Sequence, residues 1–172
     1  MKLTINTKAL ASALSKAQSV VESRNTIPVL ANVLLQVTDD ALTIEGTDLD
    51  SSLRVTVTDI VVSTTGSTTV NAKMFSDIIR KLPDGDCTVE ANDKELVVKS
   101  GRSRFKLGVL PSIDWPVLTY QAPVASFDMA GPELKDAFDG LSFCMSQEET
   151  RYYLCGIYAH THEGRLRFVA TD

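Results

Sequence analysis

The stretches LTINTKALASALSKAQSVVESRNTIPVLANVLLQVTDDALTIEGTD (3–48) and FDMAGPELKDAFDGLSFCMSQEETRYYLCGIYAHTHEGRLRFVATD (127–172) align without a gap at a constant offset of 124. Apolar residues fall on apolar residues: Leu10 on Leu134, Ala13 on Ala137, Leu14 on Phe138, Leu30 on Leu154, Leu42 on Leu166. Thr26 meets Thr150, and both stretches close on Thr-Asp, at Thr47-Asp48 and Thr171-Asp172. Identity is low, but a register of 46 residues without a gap is hard to obtain by chance, so one unit is read as present twice.

Each copy opens with a short alternating strand, Leu3–Ile5 and Phe127–Met129, and continues into a helix. The apolar stripe at i, i+3, i+4, i+7 is Leu10, Ala13, Leu14, Ala17 in the first copy, whose helix is expected over 8–21. In the second it is Leu134, Ala137, Phe138, Leu141, with Pro132 in the first turn, where proline is tolerated. Strands at 33–37 and 42–45 follow, joined through Asp39-Asp40, and 53–57 alternates cleanly. The plan then recurs: strand 69–71, a helical stripe Phe75, Ile78, Ile79, Leu82 stopped by Pro83 and Gly85, and strands at 87–91, 95–99 and 104–109. The fold class is α+β, a β-α-β-β-β unit used twice, with two helices packed on an antiparallel sheet. Residues 1–121 are expected to form a complete first domain, with Pro111, Trp115-Pro116 and Pro123 marking the connector. Residues 122–172 begin a second domain that is incomplete, and three copies at this offset would give a protein of about 370 residues.

Composition narrows the function. Val and Thr, 17 each, tilt the chain toward strands. The 17 Lys and Arg against 22 Asp and Glu give −5, which argues against a broad basic DNA-gripping face. The balance is uneven: residues 1–121 carry 13 basic and 14 acidic side chains, residues 122–172 carry 4 and 8. Cys87, Cys144 and Cys155 are odd in number and widely spaced, so neither a disulfide framework nor a zinc ribbon is indicated. MKLTINTKAL lacks the apolar core of a signal peptide and no apolar run reaches membrane-span length, so a cytoplasmic protein with no membrane association is expected.

Candidate chemistry is sparse. His160 and His162 share one strand face but lack a third ligand at suitable spacing; a metal or thiol enzyme using them with Cys155 is the outside reading. Asp48 with Asp50, and Asp84 with Asp86, sit in turn-like contexts. No motif for nucleotide binding, a catalytic triad or a metalloprotease is present, so no catalytic residue, metal or cofactor is expected. The cations are more informative: Lys8 and Lys16 on a helix without acids, Lys73, Arg80 and Lys81 against Asp77 on the next, and Arg102, Arg104 and Lys106 within six residues. A noncatalytic β-rich interaction protein unrelated to DNA is the other alternative.

Five stretches carry a resemblance: TIPVL (26–30), EGTDL (45–49), SGRSRF (100–105), RYYLCG (151–156) and VATD (169–172). With them the chain resembles the bacterial DNA polymerase III β subunit family, the sliding clamps. The resemblance implies a DNA-clamp fold and a noncatalytic processivity factor. Such a ring encircles duplex DNA, closes as a head-to-tail homodimer and tethers the replicative polymerase. A tether replaces dissociation by intramolecular rebinding, and sliding tolerates only sparse phosphate contacts, which suits a net acidic chain. Arg24 and Lys73, where the family often has Arg, match DNA-touching positions; Tyr152 and Tyr153 match a pair beside the hole. Glu148 stands where a polar neutral residue is frequent, with Gln147 beside it. Arg151, Leu154 and Thr171 match part of the cleft for polymerase and clamp-loader peptides. For the dimer interface, the strand 101–108 puts Arg102, Arg104 and Lys106 on one face, Phe105 and Leu107 on the other. Phe105 and Leu107, with Ile78 from the adjacent helix, are expected to meet the other chain, the arginines its acids.

Overall fold

The computed structural model describes residues 1–22, 26–118 and 126–172. Two compact units are present, Met1–Tyr120 and Gln121–Asp172. The first runs β1 (Lys2–Asn6), α1 (Thr7–Gln18), β2 (Asn32–Val37), β3 (Leu42–Thr47), β4 (Ser52–Val57), β5 (Ile60–Thr64), β6 (Gly66–Asn71), α2 (Ala72–Lys81), β7 (Asp86–Ala91), β8 (Glu95–Ser100) and β9 (Ser103–Leu110). The second holds α3 (Gly131–Leu141), β10 (Tyr158–His162) and β11 (Arg165–Val169).

Both helices of the first unit start the same way. A strand ends in asparagine, whose side chain accepts from a backbone N–H of the first turn: Asn6 from Lys8 and Asn71 from Met74, each at 3.0 Å. α3 has no such side chain at Ala130 and carries Pro132 in its first turn instead. The loop after α2 is tied to the start of α1, since Thr7 N–H donates to Gly85 O at 2.9 Å and Thr7 Oγ1 to Pro83 O at 3.2 Å.

Every strand pair in the first unit is antiparallel, in the order β4-β3-β2-β6-β9-β8-β7-β1-β5. The two β-α-β-β-β halves exchange their first strands. β6 lies on β2 of the other meander, with Asn32 opposite Asn71, and β1 lies on β7, with Ile5 opposite Cys87. α1 and α2 pack on each other and cover one sheet face. Leu10, Ala13, Leu14 and Ala17 from α1 and Phe75 and Ile79 from α2 share one core with Leu3, Ile5, Val33, Leu35, Ile44, Val89, Leu96 and Val98. Burying such a set is the main stabilising term, roughly 1.5–3 kcal/mol for each large side chain. A smaller cluster of Val29, Leu30, Leu34 and Trp115 includes Leu34, whose strand neighbours Val33 and Leu35 belong to the main core; Leu34 therefore points to the other face of β2.

Gly46 sets how closely helix and sheet approach, because a Cβ there would collide with the Ala17 carbonyl. The EGTD stretch is structural throughout. Glu45 receives Arg54 at 2.7 Å and the Trp115 indole N–H at 3.4 Å; Thr47 Oγ1 donates to Ser51 O at 2.7 Å; Asp48 accepts from the Asp50 and Ser51 N–H groups.

Two expectations change, and one strand has no expectation attached to it. α1 ends at Gln18 rather than 21. β5, within the Thr- and Ser-rich stretch 58–68, is a strand because it covers the outer edge of β1. Residues 127–129 form no strand, whereas their counterpart β1 is held between β5 and β7.

Candidate nucleic-acid interface

α1 buries its apolar stripe and leaves Lys8, Ser12, Ser15 and Lys16 at its surface, with Ser19 capping its end and no acid among them. α2 exposes Lys73, Met74, Asp77, Arg80 and Lys81 beside it. Arg80 Nη2 donates to Gln18 Oε1 at 3.4 Å, which links the two helices, and Lys8 pairs with Asp84 at 2.8 Å. Lys16, Lys73 and Lys81 have no ion-pair partner among the described residues. The paired helices thus present a shallow, weakly cationic surface built from long side chains on rigid elements. Between the end of α1 and the start of α2 lies a cavity of about 160 Å³ lined by Gln18, Val21, Glu22, Ala31, Asn71, Ala72 and Lys73. Lys73 is exposed at its rim; Arg24 lies outside the described residues.

Tyr152 and Tyr153 stand in the 3-10 segment Glu149–Leu154 of the second unit, 80% and 69% exposed, ring edge to ring face at 5.7 Å. The loop below them closes on itself. Ser146 N–H donates to Leu154 O at 3.0 Å, and Arg151 N–H to Glu148 O at 2.9 Å. Glu148 also takes the Arg151 guanidinium at 2.9 Å, so its charge is compensated within the loop. Sequence reasoning missed that pair, although its i, i+3 spacing was visible. Arg151 is therefore committed on one side, Leu154 is half-buried and Thr171 exposed.

The edge of β9 carries the expected interface residues. Residues 103–108 pair with β8 only, and β6 is met just at Val109 and Leu110. Arg102 and Arg104 are exposed, Phe105 is 37% exposed and Ile78 half-buried. Leu107 departs from the expectation. It is 4% exposed and belongs to the unit's own core, so alternation places it on the side of Phe105 but under the helices. Lys106 is held by Glu95 at 2.9 Å.

The remaining candidates separate. His160 and His162 lie on one face of β10, whereas Cys155 sits in the preceding turn. The described residues hold no group of three His, Cys, Asp or Glu able to bind a metal. Asp48 caps a turn and Asp84 pairs with Lys8. Cys87 is buried between β1 and β8, and burial pushes its thiol up to about 11, with Asp86 adding to the shift. Among the described residues no helix is long and apolar enough to cross a membrane.

Two capped helices laid side by side on a strand-exchanged antiparallel sheet, built twice from one β-α-β-β-β plan, define a clamp-type α+β unit. Residues 1–119 match the family described as DNA polymerase III beta subunit, N-terminal domain. The chain belongs to that family. It is 44% identical to the beta sliding clamp of Caulobacter vibrioides, covering 100% of this chain and 48% of the relative. It is 36% identical to that of Escherichia coli K12, covering 100% and 47%. The structure titled Caulobacter crescentus pol III beta superposes with a TM-score of 0.91 at 44% identity, over 100% of this chain and 48% of that one. The DNA polymerase III subunit beta from Pseudomonas aeruginosa gives 0.94 at 39% identity, over 100% and 47%. The chain spans about half the length of the curated relatives it matches.

Proposed function

We propose that this chain supplies clamp units to a noncatalytic processivity factor. The assembled protein is a ring that surrounds duplex DNA and tethers the replicative polymerase. The observation that carries this reading is the helix pair: cations on both helices, no acid on α1, and a rigid sheet behind. A ring held by topology needs few phosphate contacts, because many would act as friction and impose steep salt dependence. Lys73, with Arg24, serves as such a sparse contact, and exposed Tyr152 and Tyr153 offer ring faces to unpaired bases.

Ring closure uses the free edge of β9. Another chain's strand adds there through backbone hydrogen bonds, with Phe105 and Ile78 as apolar contacts and Arg102 and Arg104 facing acids. Two identical head-to-tail contacts close a dimer. Arg151, Leu154 and Thr171 form one side of a cleft for polymerase and clamp-loader peptides.

The test is made with this segment in a chain of its relatives' length. Arg24→Glu with Lys73→Glu should weaken DNA binding modestly and flatten log K against log salt by roughly 0.9 per lost contact, with folding intact. Unchanged binding with an unchanged slope removes both residues. Phe105→Asp should give a folded monomer in sedimentation equilibrium, and a persisting dimer places the interface elsewhere.

A further inference from the structure

The hairpin β10–β11 pairs His160 with Arg167 and His162 with Arg165 directly across the ladder, so these four side chains share one face with Tyr158 and Val169. The other face holds Leu166 and Phe168, and Phe168 meets Phe138 of α3 edge to face at 5.7 Å. The basic face therefore points away from α3. The internal repeat supports its exposure in a fully built sheet: the matching first-copy positions Gln36 and Thr38 are exposed, and Ala41 and Thr43 half-buried.

Charge is distributed unevenly around it. Of the four Lys and Arg side chains after residue 125, Lys135 is paired with Asp139 and Arg151 with Glu148. Arg165 and Arg167 are exposed, and their side chains have no partner among the described residues. His162 meets Glu163 at 3.7 Å, and His160 stacks on Tyr158 at 5.2 Å. Two free guanidiniums thus stand side by side on a flat strand face, in a segment (122–172) with 4 basic and 8 acidic residues.

We propose that this face is a docking site for a short acidic peptide in extended conformation, with carboxylates at alternate positions. Same-face residues of a strand are about 6.8 Å apart, so alternate carboxylates of an extended peptide match the spacing of Arg165 and Arg167. Each guanidinium offers a fork of donors to one carboxylate, and the histidines add donors alongside. A peptide of a few residues feels mainly this patch. A long polyphosphate feels the surrounding acids as well, which disfavours nucleic acid here. The proposal is independent of the function proposed above, since none of these four residues belongs to the helix pair, the tyrosine loop or the β9 edge.

Amide NMR shifts of the labelled chain, titrated with a capped pentapeptide of alternating Glu and Ser, test it. Shifts should appear in 158–169 with a Kd of about 1 mM or tighter. Arg165→Ser with Arg167→Ser should weaken binding about tenfold, and Arg165→Lys with Arg167→Lys, which also serves if the serine pair unfolds, about threefold. The proposal is overturned by any of four results: no shifts in the hairpin, equal binding of a peptide with its glutamates contiguous, undiminished binding by the lysine pair, or stronger binding of a five-residue oligothymidylate to the same residues.

Discussion

Leu14 and Phe138 occupy the same position of the repeat, yet Leu14 is 0% exposed and Phe138 43%. α1 rests on β1, β3 and β4 and against α2, whereas α3 meets β11 and its own following turn. The two helices carry the same apolar stripe, and only one of them is buried. Periodicity therefore states which face a helix offers to a core; the partners it meets decide how much of that face leaves water.

The comparison breaks most easily at its centre. Leu14→Ala should cost about 2–5 kcal/mol, by lost transfer energy and a residual cavity, while Phe138→Ala should cost less than about 1 kcal/mol. Urea unfolding of each variant against the parent chain checks both, followed by Trp115, the single tryptophan, for the first and by the far-ultraviolet circular dichroism of the whole chain for the second. Equal costs would mean that the two stripes are equally packed.

Gly46 and Ala170 form the next matched pair, since the offset of 124 brings them together. Gly46→Ala forces a methyl into the Ala17 carbonyl and should destabilise by about 1–3 kcal/mol, while Ala170→Gly should stay within about 1 kcal/mol. Thermal melts of both variants check this, and a neutral Gly46→Ala would mean that α1 lifts from the sheet without cost.

The cysteines sharpen the contrast chemically. Cys87 is buried with its thiol raised from 9.0 to about 11, whereas Cys155 is exposed. At pH 8 alkylating reagent should modify Cys155 while leaving Cys87 untouched until unfolding. The raised value also has a sign for stability. The folded state holds its proton longer than the unfolded state, so this contribution is complete below pH 9 and declines as the pH climbs toward 11. Cys87→Ala should flatten that decline, and an unchanged alkaline profile would assign it to other groups.

Ser76 is the smallest test. Its hydroxyl is fully buried in α2 and has no hydrogen-bond partner among the described residues. Ser76→Ala removes an unsatisfied polar atom at nearly constant volume and should leave stability unchanged or raise it by up to about 1 kcal/mol, by chemical denaturation. A clear loss would reveal a bond that the hydroxyl makes in solution.

Much of this architecture was legible in the sequence, for local reasons. α1, α2, α3 and both meanders follow from period and turn chemistry, which act within a few residues. The exchange of β1 and β6 between halves was not legible, because alternation specifies a strand's faces and leaves its neighbour open. β5 was hidden for the same reason: its Thr- and Ser-rich surroundings look like a connector until β1 supplies a ladder. At the candidate site, Lys73, Tyr152 and Tyr153 stand exposed, as a contact role requires. Leu107 shares the face of Phe105 by alternation, but its depth depends on where the helices end over the sheet. The Glu45–Arg54–Trp115 cluster joins residues 70 apart and leaves no local trace.

The strand exchange also bears on how the chain emerges during synthesis. β1 is made well before its inner neighbour β7, which begins only at Asp86, and Met1 and Ala91 close the pairing through their backbone groups. At about 5–20 residues per second, that edge stays open for roughly 4–17 s after β1 has formed. β5 can shield the opposite edge sooner. Until residue 91 has left the ribosome, the nascent chain carries an unmatched apolar strand, a task for whatever first receives it at the tunnel mouth.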